Sequence, residues 1–290
     1  MEYQIKQLSY YAENILKHLS FGTVHSVYRR TINLTDGSQI LSLQTDHSPL
    51  SPISLVSGLT ASDLEMLSVT PGDSVRFQKD GFIINTAKGT PCACKQFTCK
   101  DSRRYDLDLS RALKAPSRSA LITNIQEALS LAKTGGFATL FNSQNAADDS
   151  DLSLVLIAAR SYILDCNELI HCRRYQEAAS KLIRLLGLGT GLTPSGDDFL
   201  CGVLAGFLFS GSTDHPFAKH LKDLTADRLA DTIDISAAFL SCALKGQFSL
   251  PVVSLLNLPA AEDIFTSFSA VGHSSGTDTL CGILWSLRHI

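Results

Sequence analysis

One ten-residue segment occurs twice in this chain, and any fold must place both copies. Ser195-Gly-Asp-Asp-Phe-Leu-Cys-Gly-Val-Leu204 returns eighty positions later as Ser275-Gly-Thr-Asp-Thr-Leu-Cys-Gly-Ile-Leu284, with seven of the ten positions identical. Each copy opens Ser-Gly-x-Asp, which offers a hydroxyl for an N-cap and a carboxylate three residues on, the spacing of a capping box. The spacing predicts two like helices capped by Ser195 and Ser275, with Asp198 and Asp278 facing the positive end of the helix dipole. Gly202 and Gly282 would let the helices approach closely. Residues 199–209 and 279–287 carry no charge, so the pair is expected to be buried together. Charged residues make up 18% of the chain against about a quarter in an ordinary domain, and the helix pair accounts for part of that deficit. A subunit interface is the expected source of the rest.

The first copy follows Gly187-Leu-Gly189-Thr190-Gly191-Leu-Thr193-Pro194. Glycines and hydroxyls crowded before a helix start suit an anion, because free N–H groups and the dipole favour negative charge there. The run is neither a Walker A loop, lacking Lys-Ser/Thr, nor a dinucleotide fingerprint, since a helix rather than a strand precedes it. Asp197 and Asp198 would repel a bare anion unless a cation such as Mg²⁺ bridges them or the ligand turns donors toward them. Gly272-His273-Ser274-Ser275-Gly276 matches the hydrolase elbow G-x-S-x-G, but the strand before it and the downstream Asp and His are lacking. Between the copies, Thr232 and Ser236 stand at i, i+4 spacing on an expected helix face and complete a possible convergence of three polar helix ends.

The fold class expected is α+β, a small antiparallel β domain over 1–115 followed by an all-α domain over 116–290. Strand-like runs at Val24–Leu34, Ile40–Leu43, Ile53–Val56 and Ser74–Ile84 are separated by turn signals such as Asp80-Gly81. Helical periodicity follows at Ser119–Lys133, Leu152–Cys166, Leu169–Leu186, Asp198–Phe209, Pro216–Ala230, Ile233–Leu244 and Thr277–Arg288, with a polar loop near Asn142–Asp151. Twenty-five basic against 28 acidic residues advertise no nucleic-acid or membrane partner. The basic stretch Lys88–Arg118 reads as a solvated connector. Cys92, Cys94 and Cys99 lack the fourth ligand of a structural zinc site. The amino terminus does not read as a signal peptide and the cysteines are sparse, so the cytoplasm is the expected compartment.

Gly187–Asp198, Thr232–Gly246 and Gly272–Leu280 together resemble the AllH family. Val24-His-Ser-Val27, Arg30, Ile32-Asn-Leu34, Gly72-Asp73 and Asp106-Leu-Asp-Leu-Ser110 add a fainter likeness in the first half. The resemblance implies a subunit of oxamate carbamoyltransferase acting with two other subunits in allantoin and purine catabolism, and interconverting oxalurate and phosphate with oxamate and carbamoyl phosphate. The Ser-Thr-Arg-Thr-Arg phosphate loop of other carbamoyltransferases is missing, and Asp231-Thr232 stands where such chains carry paired threonines. Such chemistry would assign a small anionic substrate to Gly189, Gly191, Thr193, Ser195, Gly196, Ser274, Ser275, Thr232 and Ser236. It would assign metal or substrate-amide contacts to Asp197, Asp198 and Asp278, and catalytic roles to Asp198, Asp278 and His273, the last as proton donor. No cofactor beyond Mg²⁺ is indicated. Two other readings stay open: a Mg²⁺-dependent hydrolase on an all-α scaffold, and a non-catalytic partner subunit of a hetero-oligomer.

Overall fold

The computed structural model describes residues 2–86, 93–112, 116–132, 135–141 and 152–290. Cys92 of the considered zinc cluster and the whole 142–151 loop lie outside the described residues, as does Ala115 at the expected domain boundary. The chain packs as two units, Met1–Leu107 and Asp108–Ile290.

In the first unit, β1 (Glu2–Ser9) leads into α1 (Tyr10–His18), which Ser9 caps by accepting from the Ala12 N–H. There follow β2 (Phe21–Val27), β3 (Thr31–Thr35), β4 (Ile40–Gln44), β5 (Ser54–Ser57), α2 (Ala61–Met66), β6 (Ser74–Gln78), β7 (Gly81–Thr86), β8 (Ala93–Thr98) and β9 (Arg103–Tyr105). The expected hairpin at Asp80-Gly81 forms, with Phe77 opposite Phe82 and Gln78 opposite Gly81.

The expected small antiparallel domain does not form. Eight strands close into a mixed barrel in the order β5-β4-β3-β2-β6-β7-β8-β1, and β1 returns to pair with β5. β4 runs parallel to β5, and β1 runs parallel to β8 and then to β9. Closure removes the free edges that an open sheet would leave. It depends on β1, whose Ile5 and Leu8 are fully buried, and no turn signal announces the long-range pairing that brings it there. Phe82 and Phe97 stack inside at 4.7 Å between ring centres.

The second unit is helical, so α+β with the strands first holds as the class. Its helices are α3 (Arg118–Leu131), α4 (Ala138–Phe141), α5 (Leu154–His171), α6 (Tyr175–Leu182), α7 (Ser195–Phe209), α8 (Pro216–Asp227), α9 (Asp234–Leu244), α10 (Leu250–Ser254), α11 (Ala261–Ser269) and α12 (Ser275–His289). α7 and α12 carry the repeated segment and form the centre of the core. A Cβ on Gly202 would lie 2.0 Å from the Thr279 carbonyl oxygen, and one on Gly282 would lie 2.0 Å from that of Phe199. Phe199 and Thr279 are themselves equivalent positions of the two copies, so the contact is reciprocal. Farther along, Gly206 meets Ile283 and Ser286, which means that the contacts advance together and the helices run parallel. Phe199, Phe207, Phe217 and Trp285 fill the space around the pair, and the Trp285 indole N–H donates to Asn167 Oδ1 at 2.8 Å. No helix among the described residues is long and apolar enough to cross a membrane.

Candidate functional site

Because α7 and α12 are parallel and their glycines lock them in register, both N-termini come to the same end of the core. The expected caps shift by one residue. Pro194 and Ser274 are the N-cap residues, neither makes a side-chain capping bond, and Ser195 and Ser275 become the first helical residues. The serines turn instead toward the other helix. Ser275 faces the Asp198 carboxylate and Ser195 faces that of Asp278. The two copies thus cross-pair, each aspartate against the serine of its partner copy. Thr193 joins the first pair, its Oγ1 lying 2.8 Å from Ser275 Oγ.

Asp278 is fully buried. Its Oδ1 accepts from the Phe137 backbone N–H at 2.6 Å, a contact made possible by Gly136, where a Cβ would lie 2.4 Å from the same oxygen. Sequence reasoning missed Gly136 and Phe137, since a main-chain donor leaves no side-chain signature. Burial raises the Asp278 carboxyl to about 6, against the pull of Ser195, the Phe137 N–H and Ser274. Asp198 is raised well above the usual carboxylate range, chiefly by burial. Ser275 and Thr193 lower it, while the neighbouring negative charges of Asp278 and Asp197 push it further up. Oδ2 of both Asp198 and Asp278 is buried without a hydrogen-bond partner.

Asp197 does different work. Its Oδ1 accepts from the Gly187 N–H at 2.7 Å and its Oδ2 from the Thr232 hydroxyl, so the buried carboxylate ties the glycine-rich loop to the approach to α9. Thr232 lies before α9 in extended backbone, so it shares no helical face with Ser236. Ser236 sits within α9, buried, with its hydroxyl unpartnered. In the loop, Gly189 holds φ +137 with Ser195 N packed where a Cβ would stand, while Gly191 is exposed at φ +97. Two first-turn donors of α7 are already engaged, Gly196 N–H with the Leu188 carbonyl and Asp197 N–H with that of Pro194. His273 is exposed beside the start of α12, and the G-x-S-x-G match runs from the turn after α11 into the first turn of α12, with a helix rather than a strand before it.

Among the described residues, no group of three or more His, Cys, Asp or Glu side chains is arranged to hold a metal ion. Of the expected metal-contacting aspartates, Asp197 is committed at both oxygens and Asp278 at one.

The family model described as oxamate carbamoyltransferase subunit AllH matches residues 185–287, which contain both copies of the repeat and the α9 approach, and that described as AllH family N-terminal domain matches residues 5–101, the barrel. The chain belongs to the AllH family. Its general function is accordingly that of a carbamoyltransferase subunit. The AllH match takes in Thr193, Ser195, Asp198, Ser275 and Asp278, while the Phe137 N–H that Asp278 accepts from lies outside it. No solved structure matches the chain.

Proposed function

We propose that this chain works in a multi-subunit oxamate carbamoyltransferase and supplies a substrate site where α7 and α12 begin. The observation that carries the reading is the cross-pairing of Asp198 with Ser275 and of Asp278 with Ser195, in a segment that the family match covers. Transfer requires the amide nitrogen of oxamate to attack the carbamoyl carbon. A C–N bond forms, the C–O bond to phosphate breaks, and the amide gives up a proton. A carboxyl raised to about 6 is matched to accepting that proton near neutral pH, which makes Asp278 the base. Asp198 and the hydroxyls of Ser195, Thr193, Ser275 and Ser274 orient the small anionic substrate, while Asp197 and Thr232 hold the glycine-rich loop in place.

The test is turnover of carbamoyl phosphate and oxamate by the chain co-expressed with its partner subunits in the cytoplasm. Asp278→Asn is expected to lower kcat by about two orders of magnitude or more while the assembly stays intact by size-exclusion chromatography. Unchanged turnover in an intact assembly would overturn the reading.

A further inference from the structure

Both carboxyl groups at the paired helix starts have an oxygen that is buried and without a donor: Asp198 Oδ2 and Asp278 Oδ2. A buried acceptor without a partner costs free energy, and folded proteins leave few of them. Among the described residues no Lys or Arg is among the largest influences on either carboxyl, and no set of three ligating side chains gathers around them. Of the local hydroxyls, Thr193 and Ser275 bond each other while bearing on Asp198, Ser195 and Ser274 bear on Asp278, Thr277 donates to the Ser274 carbonyl and Thr279 to that of Ser275. Each carboxyl nonetheless keeps a buried Oδ2 to which no donor among the described residues bonds. Thr193, Ser195, Ser274 and Ser275 around them are all half-buried.

The geometry points to Asp198 and Asp278 as the specificity-determining pair for a primary carboxamide or carbamoyl NH2 group, whose N–H bonds the two unpartnered Oδ2 atoms accept. This rests on the substrate site proposed above and adds which end of the substrate it reads. A carboxylate or phosphate oxygen in the same place would set acceptor against acceptor. The NH2 group is the one part of oxamate that supplies two donors from a single atom. The groups bearing on Asp198 are Asp197 on its own helix, Asp278 and Ser275 from α12, and Thr193 from the loop.

Oxamate and oxalate test this directly, because they share size and planarity and differ by NH2 against O⁻. Binding of each to the full chain is measured by calorimetry at neutral pH. Oxamate is expected to bind more tightly by about two orders of magnitude or more, as when a site built for a donor meets an analogue without it. Asp198→Asn, which keeps the shape but trades an acceptor for a donor, is expected to bring the two ligands within about tenfold of each other. Equal affinities in the unsubstituted chain, a preference for oxalate, or no binding of either ligand would overturn the inference without reference to any variant. So would an oxamate preference that Asp198→Asn leaves unchanged. Failure here is separable from failure of the proposed function. Carbamoyl transfer by the assembly without oxamate selectivity at Asp198 would sink only this inference, whereas Asp198-dependent selectivity in an assembly that transfers no carbamoyl group would sink only the other.

Discussion

Asp278→Asn should change not merely how stable the helical unit is but how that stability depends on pH. An aspartate ordinarily titrates near 3.8, and Asp278 in the folded chain titrates at about 6. Between those values the folded state holds the proton more tightly than the unfolded one. The stability it contributes is therefore complete below about pH 4 and is lost as pH rises through 6. At 1.36 kcal/mol per pKa unit the loss amounts to about 3 kcal/mol. Asparagine keeps the Oδ1 acceptor for the Phe137 N–H and cannot titrate. The stability of the variant relative to the parent should thus rise by about 3 kcal/mol between pH 4 and pH 7.5. Removing the Asp278 charge also relieves Asp198, which moves the difference the same way. Urea unfolding at a series of pH values supplies the measurement, followed by the fluorescence of Trp285, the single tryptophan, which sits on α12 and is 1% exposed. Carboxylates elsewhere that pairing holds low, Glu13 and Asp36 among them, act equally in both proteins and cancel. A difference that stays flat with pH, or shrinks as pH rises, would refute the account of why this carboxyl is perturbed.

Other outcomes follow from the same geometry. Gly202→Ala drives a methyl into the Thr279 carbonyl and should destabilise by about 3 kcal/mol, read as a lower urea midpoint; Gly191→Ala, with open space around it, should show only a smaller strain from its positive φ. Thr232→Val removes the donor to buried Asp197 Oδ2 and should cost about 2 kcal/mol, while Thr232→Ser restores most of it in the same melt. Alkylation of the native chain by iodoacetamide at pH 8 should mark the exposed Cys94 and Cys172 and spare Cys99, whose thiol burial pushes up to about 12, and Cys166, pushed up likewise. Peptide mass mapping before and after unfolding checks this.

The helix pair was legible because a repeat within one chain carries its own alignment. Uncharged residues 199–209 and 279–287, with Gly202 and Gly282 at matching places, leave little to do but pack together, and they do. The capping expectation failed by one residue, because Ser195 and Ser275 were read against their own helices, and only three-dimensional pairing sets each against the opposite aspartate. Thr232 failed for the reverse reason: its spacing to Ser236 suggested a shared helix, yet the chain is extended there. Closure of the barrel was invisible, since β1 finds β5 and β8 across more than forty and ninety residues of chain. Local turn chemistry revealed the β6–β7 hairpin and could not reveal the ring.

The reciprocal glycine contact ties the fates of the two copies together. Equivalent positions meet across one seam, so enlarging Gly202 displaces the Thr279 backbone, and that displacement moves Gly282 off Phe199. Neither copy can drift alone. The two glycines that make the interlock, Gly202 and Gly282, are among the seven positions alike eighty residues apart. Two of the three positions that differ, Phe199 against Thr279 and Val203 against Ile283, meet the seam through backbone atoms, which any side chain supplies, and at the third, Asp197 against Thr277, only the first copy anchors a glycine-rich loop.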